Sequence, residues 1–468
     1  METVDERLLR LGVAVPEILL PRPDIDLGKW AVIACDQFTQ DRNYWEKVKN
    51  AAGTAPSALN LIFPEIFLSG EGKSRRIAGI HRTMETYLRE GVFAPPRRGF
   101  VYLERTTPFH RGRRGLVTAV DLEQYEWAGE ARSLIRSTEG TVPERLPPRM
   151  DIRRSAPLEI PHILLLIDDD TGSLLPGLGE LAKKSPPAYR GSLMLDSGEA
   201  SGWFLDSGES LAFLAAGLEA LADRAKTRYL PGAAGGRADS PFLFAAGDGN
   251  HSLASAKEIW EEYKRTRGAH NAVLPDHPLR YALVEVENIY DPAIRFEPIH
   301  RVLFNAGFDE ILDLLAGLPG FSRRPVADRV ELARLTAEGS PAKNRLGLAS
   351  GGRYALVETE AAGLATASVQ PLLDEFIRGG AAGGGGIPSM DYIHGEDELF
   401  RLAETDGGKT PEENSGGRAG SVVGILMPPV NKAGLFETVV RSGPLPRKSF
   451  SMGEAVEKRF YLECRKLV

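Results

Sequence analysis

The chain has 468 residues, 42% of them hydrophobic, and a formal net charge of −7 at pH 7 with a sequence pI near 5.8. That composition fits a soluble globular protein of about two to four domains. No apolar run approaches the ~20 residues needed to span a bilayer, and no basic domain stands out, so neither membrane nor nucleic acid is an expected partner. The start, Met1-Glu2-Thr3-Val4-Asp5, has no basic and apolar signal-peptide regions. The two cysteines, Cys35 and Cys464, form no Cys-x-x-Cys pair. A reduced, cytoplasmic protein is the expectation.

In chain order, residues 30–35 read as a short strand, followed by the polar turn Asp36-Gln37. Residues 75–89 read as a helix, with Ile77, Ile80, Met84, Tyr87 and Leu88 near one face. Gly70-Glu71-Gly72-Lys73-Ser74 looks like the end of a P-loop, but Phe67 stands where that motif needs its first glycine, so the P-loop reading fails. Residues 115–120 form another strand candidate. The segment 131–160 is rich in arginine (Arg132, Arg136, Arg145, Arg149, Arg153, Arg154), and its prolines break any long helix. An apolar strand over 162–167 ends in Asp168-Asp169-Asp170. Strand C-termini are common ligand positions in α/β sheets, which makes Asp168 and Asp169 candidate Mg²⁺ ligands, with a solvated turn as the alternative. A helix rich in Leu and Ala follows at 209–226.

The most informative stretch comes next. Residues 241–246 read as a buried strand, then the turn Gly247-Asp248-Gly249-Asn250-His251-Ser252, then a helix marked by Leu253, Ala256, Ile259, Trp260 and Tyr263. Amide groups at a helix start attract anions, and glycines let a ligand approach the backbone. Asp248 and His251 add an acid and a titratable base at the same place. A helix cap would account for one polar residue here, but not for the whole cluster.

Residues 280–287 and 294–304 are further strands, the second carrying His300 and Arg301. Arg301 offers a planar fork suited to phosphate, or an ion pair with Glu297. From about 307, helices at 308–316 and 329–338 alternate with short strands such as 354–358. The glycine-dense 379–386 and the polar 404–418 read as loops. The fold expectation is α/β (α+β), with a core over 1–305 and a C-terminal α+β part over 306–468.

In this order, the segments resemble the domain of unknown function 1015 family. Its Asp-Gly-His-His-Arg motif stands here as Asp248-Gly249-Asn250-His251-Ser252, and its Pro-Thr-His-Arg as Pro298-Ile299-His300-Arg301. Its Arg-x-His-Glu-x-Thr resembles Arg136-Ser137-Thr138-Glu139-Gly140-Thr141, and its Pro-x-Lys-Ser is similar to Pro446-Arg447-Lys448-Ser449. The first motif also resembles the phosphate-binding motif of the ParB/sulfiredoxin superfamily, which includes free-serine kinases and nucleotide-switched partition proteins.

These resemblances imply a ParB/sulfiredoxin-like core that takes a nucleotide, ADP or ATP, with Mg²⁺. Gly249, Asn250, His251 and Ser252 would hold phosphate. Asp248, His251 and Glu139 are the candidate catalytic groups. His300, Arg301, Arg447 and Lys448 would join the phosphate site. The implied activity is a nucleotide-dependent phosphotransferase acting on a hydroxyl of a small metabolite. The alternatives are a non-catalytic nucleotide- or metabolite-binding regulator and a degenerate scaffold. Ser252 replaces the motif arginine, which removes a bidentate phosphate contact. Either Arg301 or an arginine of 132–154 compensates, or the site has degenerated.

Overall fold

The computed structural model describes residues 2–68, 72–127, 132–229, 240–267, 276–338, 342–360, 363–379, 387–404 and 421–467. Of the two stretches expected as loops, residues 380–386 and 405–418 lie outside the described residues. The fold is mixed α/β. No helix among the described residues is long and apolar enough to cross a membrane.

The chain divides into two compact units, Met1–Ile294 with Gly453–Val468, and Arg295–Met452. This division differs from the expected boundary at 305/306 at both ends, and strand pairing gives the reason. The strand Phe296–Phe304 pairs with Ser389–His394, Val422–Leu426 and Phe450–Met452, which commits it to the second unit. The last residues rejoin the first unit: Phe460–Tyr461 pairs with Val32–Ile33, and Arg465–Lys466 with Leu158–Glu159. Both pairings join residues hundreds of positions apart, which no local pattern announces. The expected strand over 30–35 is in fact the end of the short helix Leu27–Trp30 followed by Val32–Ile33.

The main sheet of the first unit runs in the order Tyr189–Ser192, Glu199–Leu205, Phe100–Thr106, Arg113–Asp121, Tyr281–Asn288, Leu164–Ile167, Phe244–Asp248, Ile135–Ser137, Tyr125–Glu126. Strand alternation sends successive side chains to opposite faces. On Tyr281–Asn288, Ala282, Val284 and Val286 join an apolar core with Phe100, Tyr102, Leu116 and Val120 and with the helices Leu174–Ala182, Gly208–Tyr229 and Asn250–Arg267. Leu283 packs with Val101 and Val117 on the other face. Glu285 and Glu287 share that face's parity, and so do Arg105 and Arg113 on the neighbouring strands. All four of these charged residues are buried. Gly115 makes the arrangement possible, because a Cβ there would lie 2.0 Å from Glu285 Oε1.

In the second unit the sheet order is Ser322–Val326, Arg353–Glu360, Lys343–Ser350, Val422–Leu426, Phe296–Phe304, Ser389–His394, antiparallel throughout. Both faces are apolar. Leu303, Leu346, Leu348 and Ile425 pack under the helices Phe308–Leu315 and Ala365–Gly379. Val302, Ala349 and Leu356 pack under Arg329–Ala337 and Glu396–Glu404.

Candidate functional site

The strand Phe244–Asp248 and the 18-residue helix Asn250–Arg267 are joined by Gly249 alone. Gly249 has a φ of +73°, in the left-handed region, and a Cβ there would come within 3.0 Å of Ile163 Cα. Both facts require glycine at this turn. Asp248 Oδ1 accepts a hydrogen bond from the Gly249 N–H at 2.9 Å, and its Oδ2 lies 3.2 Å from Lys458 Nζ.

The segment after the strand Ile135–Ser137 packs directly on this turn. Ser137 Oγ donates to Asn250 Oδ1 at 2.7 Å and is also 2.7 Å from the Glu139 carbonyl. Thr138 Oγ1 donates to the Ala246 carbonyl at 2.6 Å. The Val142 N–H donates to His251 Nε2 at 3.3 Å. Thr141 Oγ1, beside that bond, is buried without a hydrogen-bond partner. The two sequence motifs singled out at 136–141 and 248–252 therefore meet, with Asp248, Asn250, His251 and the backbone of Glu139 at one place.

Next to the first turn of the helix is a cavity of about 130 Å³. Its polar lining includes Cys35, Glu65, Arg149, His162, Ser252 and Tyr461, together with Arg153, Glu159 and Ser255, and its apolar walls include Phe63, Met84 and Ile152. Arg149 is ion-paired with Glu65. Ser252 Oγ is 3.0 Å from His162 Nε2, and Asp36 Oδ2 is 3.9 Å from the same nitrogen. Tyr461 OH accepts from the Cys35 N–H at 3.2 Å and lies 2.8 Å from His162 Nδ1. Burial raises the Glu65 carboxyl above its usual value, against the pull of Arg149. Burial pushes Asp36 up as well, but His162, Gln37, Lys458 and Arg149 together bring it below the usual carboxylate value.

Four expected phosphate ligands lie in the second unit. Arg301 is fully buried, and its guanidinium donates to Gln370 Oε1 at 3.0 Å, to the Ile299 carbonyl and to the Lys448 carbonyl at 3.1 Å. These donors, expected to form a phosphate fork, brace strand and loop within the second unit. His300 is buried, accepts from the Met427 N–H through Nδ1 at 3.1 Å, and is pulled down to about 4 by burial, with Arg301 and His394 adding to it. Arg447 and Lys448 are exposed. The basic segment that returns to the first unit is the following one, with Lys458 and Arg459.

Asp168 and Asp169, the expected metal ligands, are engaged by the protein's own donors. Asp168 Oδ2 takes Arg228 at 2.9 Å and the hydroxyl of Tyr229. Asp169 accepts from Arg224 at 3.1 Å, from Thr171 at 2.6 Å and from the Leu174 N–H at 2.9 Å, which makes it a cap for the helix Leu174–Ala182. Among the described residues no group of three or more His, Cys, Asp or Glu could hold a metal ion.

Of the arginines in 132–154, Arg136 is spent on the Ser133 and Ser240 carbonyls, and Arg154 on Glu262. Arg149 reaches the cavity. The sequence reading missed Glu65, His162, Lys458 and Tyr461 and saw Asp36 only as a turn. Asp36 after a short strand was the single local signal among them.

A family model described as "Protein of unknown function (DUF1015)" matches residues 18–376. The chain belongs to that family. No curated protein matches it. Among solved structures, a conserved hypothetical protein from Pyrococcus furiosus aligns with a TM-score of 0.32 and 10% identity over 74% of this chain and 90% of that one. A free serine kinase in complex with AMP aligns with a TM-score of 0.35 and 12% identity over 75% and 92% of the two chains. SbnI with a C-terminal truncation, from Staphylococcus aureus, aligns with a TM-score of 0.33 and 10% identity over 75% and 87%. Likenesses of this size carry no argument about what this DUF1015 member does.

Proposed function

We propose that this DUF1015 protein is a nucleotide-dependent phosphotransferase acting on a hydroxyl of a small metabolite, at the start of the helix Asn250–Arg267 and the adjoining cavity. The observation that carries this reading is the gathering of Glu65, Asp36, Arg149 and Lys458 around a glycine-turned helix start. Phosphoryl transfer needs positioning and charge neutralisation more than covalent help from the protein. The helix start, which has no acidic residue in its first turn, favours phosphate. Arg149 supplies the guanidinium that Ser252 lacks, and Lys458 adds an ammonium.

In this scheme the metabolite oxygen attacks the terminal phosphorus, the bond to the nucleotide's bridging oxygen breaks, and the hydroxyl proton passes to Glu65. A carboxyl raised by burial is the better-matched base near neutral pH. Asp248, the earlier candidate, is held by Lys458 and the Gly249 amide and positions the turn in this scheme. No step is routed through a metal.

The test is nucleotide consumption, with ATP and with ADP, against pooled hydroxyl metabolites. Glu65→Gln should lower turnover by about 10²–10⁴-fold while leaving nucleotide binding measurable. Arg149→Ala should weaken nucleotide binding about tenfold or more. No consumption of either nucleotide by the wild type would sink the transferase reading. One observation favours a binding-only regulator: Ser252 stands in the arginine position of the motif and its hydroxyl is engaged by His162. Nucleotide-induced thermal stabilisation without any turnover would decide for that reading.

A further inference from the structure

Ser252 is the third residue of the helix Asn250–Arg267 and lines the cavity beside it. A helix serine commonly bonds back to a carbonyl one turn earlier, as Ser255 does to His251 at 2.7 Å. Ser252 is held differently. Its Oγ is 3.0 Å from Nε2 of His162, a residue 90 positions away. The other ring nitrogen of His162 is 2.8 Å from the Tyr461 hydroxyl, which also accepts from the Cys35 N–H. His162 and Tyr461 line the same cavity, and all of these residues belong to the first unit. A hydroxyl, a base within hydrogen-bond reach and a third group that holds the base form the arrangement that turns serine into a nucleophile.

The surroundings select the group this nucleophile would attack. Arg149 lines the cavity with it, and Lys458 lies 3.2 Å from Asp248 at the preceding turn. The helix start adds the positive end of its dipole. Two cations and a helix start favour a phosphoryl group over a neutral ester, because a phosphoryl group carries the charge they neutralise.

We propose that Ser252 is a self-phosphorylation site, an inference that rests on the nucleotide reading given above. In the absence of a metabolite hydroxyl, Ser252 Oγ attacks the terminal phosphorus of the bound nucleotide. The Oγ–P bond forms and the bond from phosphorus to the bridging oxygen breaks. The shortened nucleotide leaves with that electron pair, and the Oγ proton passes to His162 Nε2. With its ring proton on Nδ1, donated to the Tyr461 oxygen, His162 has Nε2 free to take it. Asp36, whose Oδ2 is 3.9 Å from Nε2, stabilises the imidazolium that results. The product is a phosphoserine in the first turn of a helix, where dipole and guanidinium both favour its charge. It occupies the place of the nucleotide's terminal phosphate, so each molecule that modifies itself excludes further nucleotide.

The test is incubation of the full chain with ATP or ADP in a magnesium-containing buffer without metabolite, followed by peptide mass spectrometry. One phosphate should appear on Ser252, at a rate per molecule that does not change with protein concentration. His162→Gln should slow labelling by about 10²–10⁴-fold, the usual worth of a general base. Ser252→Ala should remove the label, and Ser252→Thr, which keeps a hydroxyl, should retain it at that position. The phosphorylated protein should bind nucleotide about tenfold or more weakly than the unmodified protein, by like-charge repulsion. Metabolite phosphorylation with Ser252 left unmodified overturns this inference and leaves the transferase reading standing. Label on Ser252 without metabolite turnover does the reverse. Absence of nucleotide binding overturns both. Labelling of His162→Gln at the wild-type rate overturns the base, and a rate that rises with protein concentration overturns the step within one molecule.

Discussion

In the first unit, Arg113 with Glu287 and Arg459 with Glu285 and Glu463 are ion pairs whose side chains are 6% exposed or less. In the second unit, pairs such as Arg353 with Asp309 and Arg401 with Glu398 keep about half or more of their side-chain surface in water. Its buried Arg301 donates to the neutral oxygens of Gln370, Ile299 and Lys448. Both units have a sheet covered by helices, so the contrast is not one of architecture. Burying charge is costly and rarely improves stability over an apolar core. The first unit carries that cost where the C-terminal segment crosses the charged face of its sheet. Arg105 there donates to the carbonyls of Val456, Glu457 and Lys458, and Arg465 pairs with Glu159. The same segment delivers Lys458 to Asp248 and Tyr461 to His162. Buried charge thus marks the unit in which charged groups are aligned around a candidate site, and the apolar sheet marks the unit in which they are not.

The sharpest way to break this comparison is to remove one buried cation. Arg459→Met should destabilise the protein by about 3–5 kcal/mol in urea denaturation, because it leaves Glu285 and Glu463 buried without their partner. The exposed counterpart, Arg353→Ala, should cost about 0–1 kcal/mol. Similar costs at the two positions would remove the distinction.

Next in size is a pH effect confined to the second unit. His300 is pulled from 6.5 to about 4, so the folded state keeps it neutral while the unfolded chain protonates it first. The unfolded state then binds more protons, and stability present above about pH 6.5 is lost as pH falls toward 4. The loss from this group approaches about 3 kcal/mol. His300→Asn, which can still accept from the Met427 amide but does not titrate, should lose less stability than wild type between pH 7 and 4.5. Parallel curves for the two proteins would show that His300 is not the sensor.

The smallest expected change in stability sharpens the site itself. Gly249→Ala forces a side chain into a left-handed turn against Ile163 and should cost about 1–3 kcal/mol. Because the turn sets the helix start, nucleotide affinity should fall as well. A variant as stable as wild type would mean that the turn relaxes and does not fix the site.

Much of the secondary structure could be read locally. The helix expected over 75–89 is Lys73–Arg89, and the strand expected over 280–287 is Tyr281–Asn288, because each presents one apolar period to a core. The strand–turn–helix at 244–267 was legible for the same reason, with glycine marking the turn. The meeting of residues 137–142 with that turn is carried by contacts more than 100 positions apart in sequence.

What the sequence by itself determined is therefore each element's period, the glycine-marked turn at 247–252 and the order of the motifs, all of which depend on residues a few positions apart. Only the tertiary structure decided that Glu285 and Glu287 face inward, since an acidic residue alternating with valine reads as solvent-facing until Arg459 and Arg113 arrive to pair with it. It also brought Lys458 and Tyr461 to Asp248 and His162 from the far end of the chain. Those outcomes depend on long-range charge pairing and strand addition, and neither leaves a periodic trace in the residues that take part.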